Sequence, residues 1–426
     1  PARGQSPAAA RAGAGQFLSA QAQPAESSMD RGWPAWLKLS FVERGRLESW
    51  RGTSPEDTYY LNRIRLQAEV RPAAWLRGVV QFQDARVAGY ALPVKPASMF
   101  NELDLRQAFV DITPPGSGVV VRPGRQELAF GDGRLVAPSD WGNVTRTFDG
   151  LSVALSRARW AVTLFATQPV SIDPTRFDER QRGDWFSGAY LGLTTRSRRA
   201  WDAYVLVKAQ DRAVDERGRR GDLRVATIGL RAAGPLPSRF DYTLEGAIQR
   251  GHVAEAPLEA WAAHVTLART LSTAGWRPRV AFDYDAASGD KSRLDGKAGT
   301  FDALYPSNHA RWGLTDRVSW RNMEHVGLTL GVTPRRDTRV SGGWHRLWVR
   351  EQADGYYNGA GTRVPPTGPA SGRRLGDAID AQVTIDVTKY VSVNAGVGRF
   401  LVGPLLREAN RQRDQWLRFV MWRVAF

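Results

Sequence analysis

Cysteine is absent from the 426 residues, which excludes a disulfide framework and thiolate chemistry. Histidine is nearly absent. His252, His264, His309, His325 and His345 are set apart along the chain, with no zinc-ligand spacing. A catalytic triad drawn from them would be arbitrary, because nothing in the sequence brings a nucleophile to a base. No run approaches the roughly 18–20 apolar residues of a spanning helix, and mean hydropathy is −0.39. Helix-period segments are missing too, and no change of composition marks a domain boundary. Residues 1–30 are rich in Ala, Gly, Gln and Ser and lack an apolar h-region. They therefore read as lacking a secretory leader, whether removed or left out by truncation, and residues 1–35 read as a disordered N-terminal segment.

Acidic residues are the minority charge: 43 Asp and Glu stand against 59 Lys and Arg, a net charge of +16. Nucleic-acid binding would gather that excess on one element. Here arginine is spread through strand-like segments, so no nucleic-acid partner is expected. What remains is a solvated basic surface, or a basic interior or mouth that attracts anions.

What the chain does have is alternation. In residues 60–71, Tyr60, Ile64, Leu66, Ala68 and Val70 share one face, broken only by Asn62. Arg63, Arg65, Gln67, Glu69 and Arg71 share the other. Residues 240–249 and 379–388 repeat the form. A period of two with one apolar face predicts strands that bury that face, and an alternating strand escapes hydropathy averages. Eighteen such segments are expected: 36–47, 60–71, 74–86, 104–112, 118–129, 150–157, 160–167, 185–195, 201–210, 222–232, 240–250, 260–269, 277–285, 325–333, 338–350, 378–388, 390–400 and 412–426. Residues 316–322 read as a further strand or as loop structure. Links such as 113–118, 196–200 and 333–337 are short; 87–103, 130–149, 168–184, 286–324 and 351–377 are long, and 48–59 and 401–411 belong with them. Alternating link lengths fit a membrane meander, with turns on one side and loops on the other. The expected fold is therefore all-β: a transmembrane antiparallel up-and-down β-barrel of about 18 strands over residues 36–426, enclosing an aqueous channel. Sixteen Trp, sixteen Phe and eleven Tyr would supply two aromatic girdles.

The last segment, WLRFVMWRVAF, places Val420, Trp422, Val424 and Phe426 on one face. A strand that stops on a terminal Phe resembles the closing strand of bacterial outer-membrane barrels. Arg418 shares that face. It would extend to headgroups near the outer rim but would be costly nearer the midplane.

Residues 124–150, GRQELAFGDGRLVAPSDWGNVTRTFDG, with LDLRQAFVDIT at 103–113, resemble the alginate-export family of outer-membrane barrels. VQFQDARV (80–87), YDAASGD (284–290), GTFDALYPSNH (299–309) and VSWRN (318–322) extend the resemblance over residues 36–426. It implies an eighteen-stranded barrel in the bacterial outer membrane, with an electropositive pore that passes an anionic polysaccharide such as alginate. A porin for uptake of small acidic sugars or organic acids is the alternative. A plugged barrel serving as a basic binding or adhesion scaffold is a third. The expected partners are that polysaccharide, outer-membrane lipid and periplasmic secretion proteins. The chain is expected to be a monomer without cofactor, metal or catalysis.

By face assignment, Lys38, Arg44, Arg46, Arg63, Arg65, Arg77, Arg125 and Lys208 point into the lumen; Arg106 joins them from the family-like segment, its face ambiguous. Glu245, Asp283 and Asp386 face the same way, so the lumen is mixed. An inward Arg either pairs with a neighbouring carboxylate or offers its planar fork to an anion in transit. Glu69, four residues from Arg65, and Glu127, one same-face step from Arg125, are the expected ion-pair partners. The FGDGR stretch lacks the Lys-Ser/Thr and following helix of a phosphate-binding loop. Segment 130–149 is instead an extracellular loop, or one folded inward to narrow the pore through Asp132, Arg134, Trp141 and Arg146. The connection 286–324 is too long for an ordinary loop. Its Asp290, Asp295 and Asp302 would be the ligands if it held a cation, although EF-hand spacing is absent.

Overall fold

A computed structural model describes residues 33–426. The expected disordered segment lies almost wholly outside the described residues.

The eighteen full strands are β1 (Leu37–Arg51), β2 (Asp57–Ala73), β3 (Leu76–Ala88), β4 (Asn101–Ile112), β5 (Val119–Gln126), β6 (Phe148–Ser156), β7 (Trp160–Ser171), β8 (Asp184–Thr194), β9 (Ala200–Val214), β10 (Arg220–Pro235), β11 (Phe240–Val253), β12 (Ala256–Thr270), β13 (Arg279–Ala287), β14 (Met323–Arg335), β15 (Thr338–Val349), β16 (Arg374–Asp386), β17 (Val391–Val402) and β18 (Gln415–Ala425). Each overlaps one expected segment. Residues 316–322 form loop structure. Every strand pairs antiparallel with its sequence neighbours, and β18 pairs with β1, from Val42 opposite Ala425 to Arg51 opposite Trp416. The barrel is closed, so no unpaired edge faces lipid.

Polarity is inverted relative to a soluble protein. Leu66, Ile228, Leu230, Ile248 and Leu330 are at least half exposed on the outer wall, whereas Arg44 and Arg63 are 1–2% exposed on the inner one. Only an apolar solvent makes the outer wall favourable. Trp36, Trp75, Trp160, Trp201 and Trp276 gather at the short-turn ends, as the lower aromatic girdle requires. At the closing seam the Trp422 ring lies over Gly45, where a Cβ would approach it to 2.1 Å. The ring stacks on Tyr60 and donates its indole N–H to Glu43. Arg418 stands opposite Ser49, near the end of β1, with Trp416 beside it. It therefore lies at the outer rim, where headgroups are within reach.

The length alternation is less regular than expected. The outer links 52–56, 215–219 and 254–255 are tight, because β1–β2, β9–β10 and β11–β12 run on as long hairpins. Nor is the interior an open aqueous tube at every level. Links 127–147 and 288–322 turn inward and pack Leu135, Val136, Phe301, Leu304, Trp312 and Trp320 against Phe148, Phe186, Leu206 and Leu347 of the wall. A parallel bridge, Val136 to Tyr305, joins the two inserted segments into one plug.

Candidate functional site

The plug spans the lumen and is held on opposite walls. On the first wall, Arg44 and Arg46 of β1 and Arg63 and Arg65 of β2 alternate inward, and the register puts Arg44 opposite Arg63. Four buried guanidiniums thus converge on residues 140–143. Arg63 and Arg65 reach the Asp140 carboxylate at 3.0 and 3.2 Å. Arg46 donates to the Trp141 carbonyl at 2.7 Å and lies 3.7 Å over the Trp141 ring. Arg44 meets only neutral oxygens: the Asp140, Trp141 and Gly142 carbonyls and the Asn143 side-chain amide. The Trp141 ring also stacks on His309 at 3.6 Å, which ties this anchor to the second inserted link. Burial alone would raise the Asp140 carboxyl, but the charges of Arg63, Arg65 and Arg44 overcome it and hold it well below the usual range.

Arg106 joins this bank. Gln107 lies opposite Gln81 while Leu105 lies opposite Phe82, so Arg106 is the extra residue of a β-bulge, and the bulge turns it inward. It donates to Gln81, Glu127 and the Thr145 hydroxyl, which also accepts from Arg65. Its ambiguous face is explained by a bulge that strict alternation cannot represent.

On the far wall the hub is Asp285 of β13, 1% exposed. One oxygen accepts from Arg134 and His264, both at 2.8 Å. The other accepts from Trp312 at 3.0 Å and His325 at 2.9 Å. Both inserted links therefore dock on one carboxylate. Because a carboxylate only accepts, His325 donates from Nδ1, and its Nε2 shares a hydrogen bond with His345 Nδ1 at 3.0 Å. Gly327 leaves room for that ring pair, since a Cβ there would lie 2.9 Å from both imidazoles. Three of five histidines, scattered in sequence, meet on neighbouring strands. Between the anchors, Arg231 holds Asp132, while Lys208 and Arg321 hold Asp302. Arg146 donates to the Ala137 carbonyl and lies over Tyr305; burial lowers its guanidinium to about 10. All four loop candidates are thus inside the barrel.

Beside the hub lies a cavity of about 50 Å³, lined by Arg134, Arg279, Arg311, Asp132, Asp283, Thr266 and His345 among others. Burial, then neighbouring Arg134, lowers the Arg311 guanidinium to about 10.

Other expected residues lie elsewhere. Lys38 is exposed at the short-turn mouth, opposite Glu69. Arg77 is braced by Glu69 at 2.7 Å and Asp111 at 2.8 Å. Arg125 faces outward: it lies opposite Ala108, next on that face to exposed Val110, and binds Asp149 at 2.7 Å. The run VVVRPGRQ has too little alternation to set its phase, and the inner-face arginine of β5 is Arg122, bound to Asp111 at 2.6 Å. Neither expected ion pair forms. Arg65 takes Asp140, while Glu69 takes Arg71 and Arg77, and Glu127 goes to Arg106. The expected cation ligands separate. Glu216, Asp290 and Asp295 bring one oxygen each within 4.8 Å of one another, while Asp302 is held by the plug. Burial, then the neighbouring Glu216 carboxylate, push the Asp290 carboxyl up to about 7.

The family model for alginate export matches residues 39–417. No curated protein matches the sequence. Solved structures match throughout at low identity. A BenF-like porin from Pseudomonas fluorescens Pf-5 is 10% identical, with a TM-score of 0.62 over 93% of this chain and 100% of that one. The outer-membrane protein OpdK from Pseudomonas aeruginosa is 10% identical, with a TM-score of 0.62 over 92% and 99%. OccK2 (OpdF) from Pseudomonas aeruginosa, solved in complex with glucuronate, is 10% identical, with a TM-score of 0.60 over 92% and 96%. At this identity the likeness concerns the fold alone.

Proposed function

The chain belongs to the alginate-export family and is a bacterial outer-membrane channel protein, and from that premise we propose that its cargo is an anionic polysaccharide, alginate or a polymer of similar charge, exported passively. The observation that carries this reading is the bank of five guanidiniums, Arg44, Arg46, Arg63, Arg65 and Arg106, facing three carboxylates, Glu48, Glu127 and Asp140. A guanidinium fork matches a carboxylate in geometry and charge. Several sites in series suit conduction, because each must release what it binds. Charge on a wall only shapes a diffusive path, so the reading needs no energy source, cofactor or catalytic step. In planar bilayers the barrel should be anion-selective, and polymannuronate should block its current. Cation selectivity would refute the proposal.

The cavity beside Asp285 favours a second reading, uptake of small acidic sugars or organic acids. Its three arginines, two carboxylates and hydroxyls suit a ligand with one carboxylate and several hydroxyl groups. The solved relative holding glucuronate offers a parallel. Vesicle-swelling rates with monomeric glucuronate separate the readings: free passage of the monomer without block by polymer supports uptake.

A further inference from the structure

Residues 140–142 present an unusual surface to the arginine quartet: one carboxylate and three consecutive carbonyl oxygens. An aromatic ring lies beside them. An acidic sugar residue offers the same set, a carboxylate with a row of neutral oxygens on a ring that packs against guanidinium and aromatic faces. The fit of the protein's own segment is incomplete. Arg44 is 1% exposed and receives only neutral oxygens. The Nε groups of Arg44 and Arg63 are buried without a hydrogen-bond partner. A buried cation met only by neutral oxygens is poorly compensated, and an anionic ligand would improve it.

We propose that the quartet is an acidic-saccharide site whose resident occupant is the chain's own Asp140–Gly142 segment, so that cargo and plug compete for the same guanidiniums. The inference rests on the lumen being a path for acidic saccharides. Binding of one sugar carboxylate displaces Asp140, and the freed segment takes Trp141 off Arg46 and His309. The first wall anchor then opens while the Asp285 anchor holds, so entry of cargo and partial release of the plug are one event. The segment is a low-affinity stand-in that keeps the arginines occupied when cargo is absent.

The test uses the whole barrel in planar bilayers, with tetragalacturonate as the acidic probe and maltotetraose as the neutral one. Asp140→Asn should tighten tetragalacturonate block by at least tenfold, because the internal competitor loses its charge. Asp111→Asn, which also removes a carboxylate shared by two lumen arginines, Arg77 and Arg122, but lies outside the plug, should change block less than twofold. In a chain without native cysteine, Ser139→Cys provides a single reporter. Tetragalacturonate should speed its labelling by a charged thiol reagent at least fivefold, and maltotetraose should not. If wild type and Asp140→Asn are blocked equally, or if labelling ignores the acidic probe, competition is overturned while the cargo proposal stands. If tetragalacturonate blocks neither protein, the cargo proposal falls and takes this one with it.

Discussion

Asp285→Asn tests whether the plug is docked on the wall or merely lies beside it. The carboxylate is buried and takes four donors, from Arg134, His264, Trp312 and His325. The amide keeps the shape but removes the charge opposite Arg134, and it turns an NH₂ toward either Arg134 or Trp312, each of which can only donate. Breaking a buried ion pair on one side costs about 3–5 kcal/mol. The stranded donors overlap with that cost and are not added to it. At about 1.4 kcal/mol per tenfold, the undocked population rises by roughly two to nearly four orders of magnitude. The wall, held by eighteen paired strands, remains closed, so the loss is local. Hydrogen exchange in detergent should accelerate around Arg134 and Trp312 and stay unchanged in β1–β4. Asp283→Asn is the control. Asp283 sits two residues away on the same face and takes one bond from Thr266, so it should cost about 0.5–1.5 kcal/mol. Equal protection of the two segments in wild type and Asp285→Asn would refute the docking argument.

Arg418→Leu should leave stability within about 1 kcal/mol, while Val420→Arg, two residues deeper, should cost about 2–4 kcal/mol; denaturant titration in lipid vesicles measures both. Trp422→Phe keeps the stack on Tyr60 but removes the bond to Glu43, and should cost about 1.5–3 kcal/mol at the seam in the same assay. For Asp290 the folded-state pKa is raised above the ordinary 3.8 to about 7. The protonated contact with Glu216 is therefore intact at low pH, and its stabilisation is lost as pH rises from the ordinary carboxylate range through about 7. Proteolysis of residues 288–300 should be faster at pH 8 than at pH 5.5; the opposite order would contradict the assignment.

Period-two alternation, helped at its soft boundaries by the family resemblance, located the eighteen strands and placed Arg63, Arg65 and Glu245 on the inner face where the structure has them, because lipid on one side leaves little freedom in that phase. It failed where the backbone departs from alternation, as at the Arg106 bulge, or where three valines in a row carry no phase, as before Arg125. The partners of the inward arginines were out of reach for another reason. Arg63 meets Asp140 across 77 residues, through a segment whose inward turn no local pattern signals. The histidine pair is a matter of strand register, since β14 and β15 set His325 and His345 on one face. One signal was present. The stretches that carry the family resemblance, 124–150, 299–309 and 318–322, cover much of the plug, so the resemblance was strongest where the strand pattern said least.

The two plug anchors differ in when the chain can complete them. The contacts of Arg44 with residues 140–143 close loops of 96–99 residues, and β1, β2 and the inserted link all precede β7. Arg134 reaches Asp285 only across 151 residues, after β13 has formed. Emerging from its N-terminal end, the chain can tether the link to the first wall while more than half the barrel is still unmade. A tether formed at that stage would hold the link on the side that becomes the lumen, and the later strands would close around a segment already in place. A barrel assembled this way has no need to thread a loop through a finished ring.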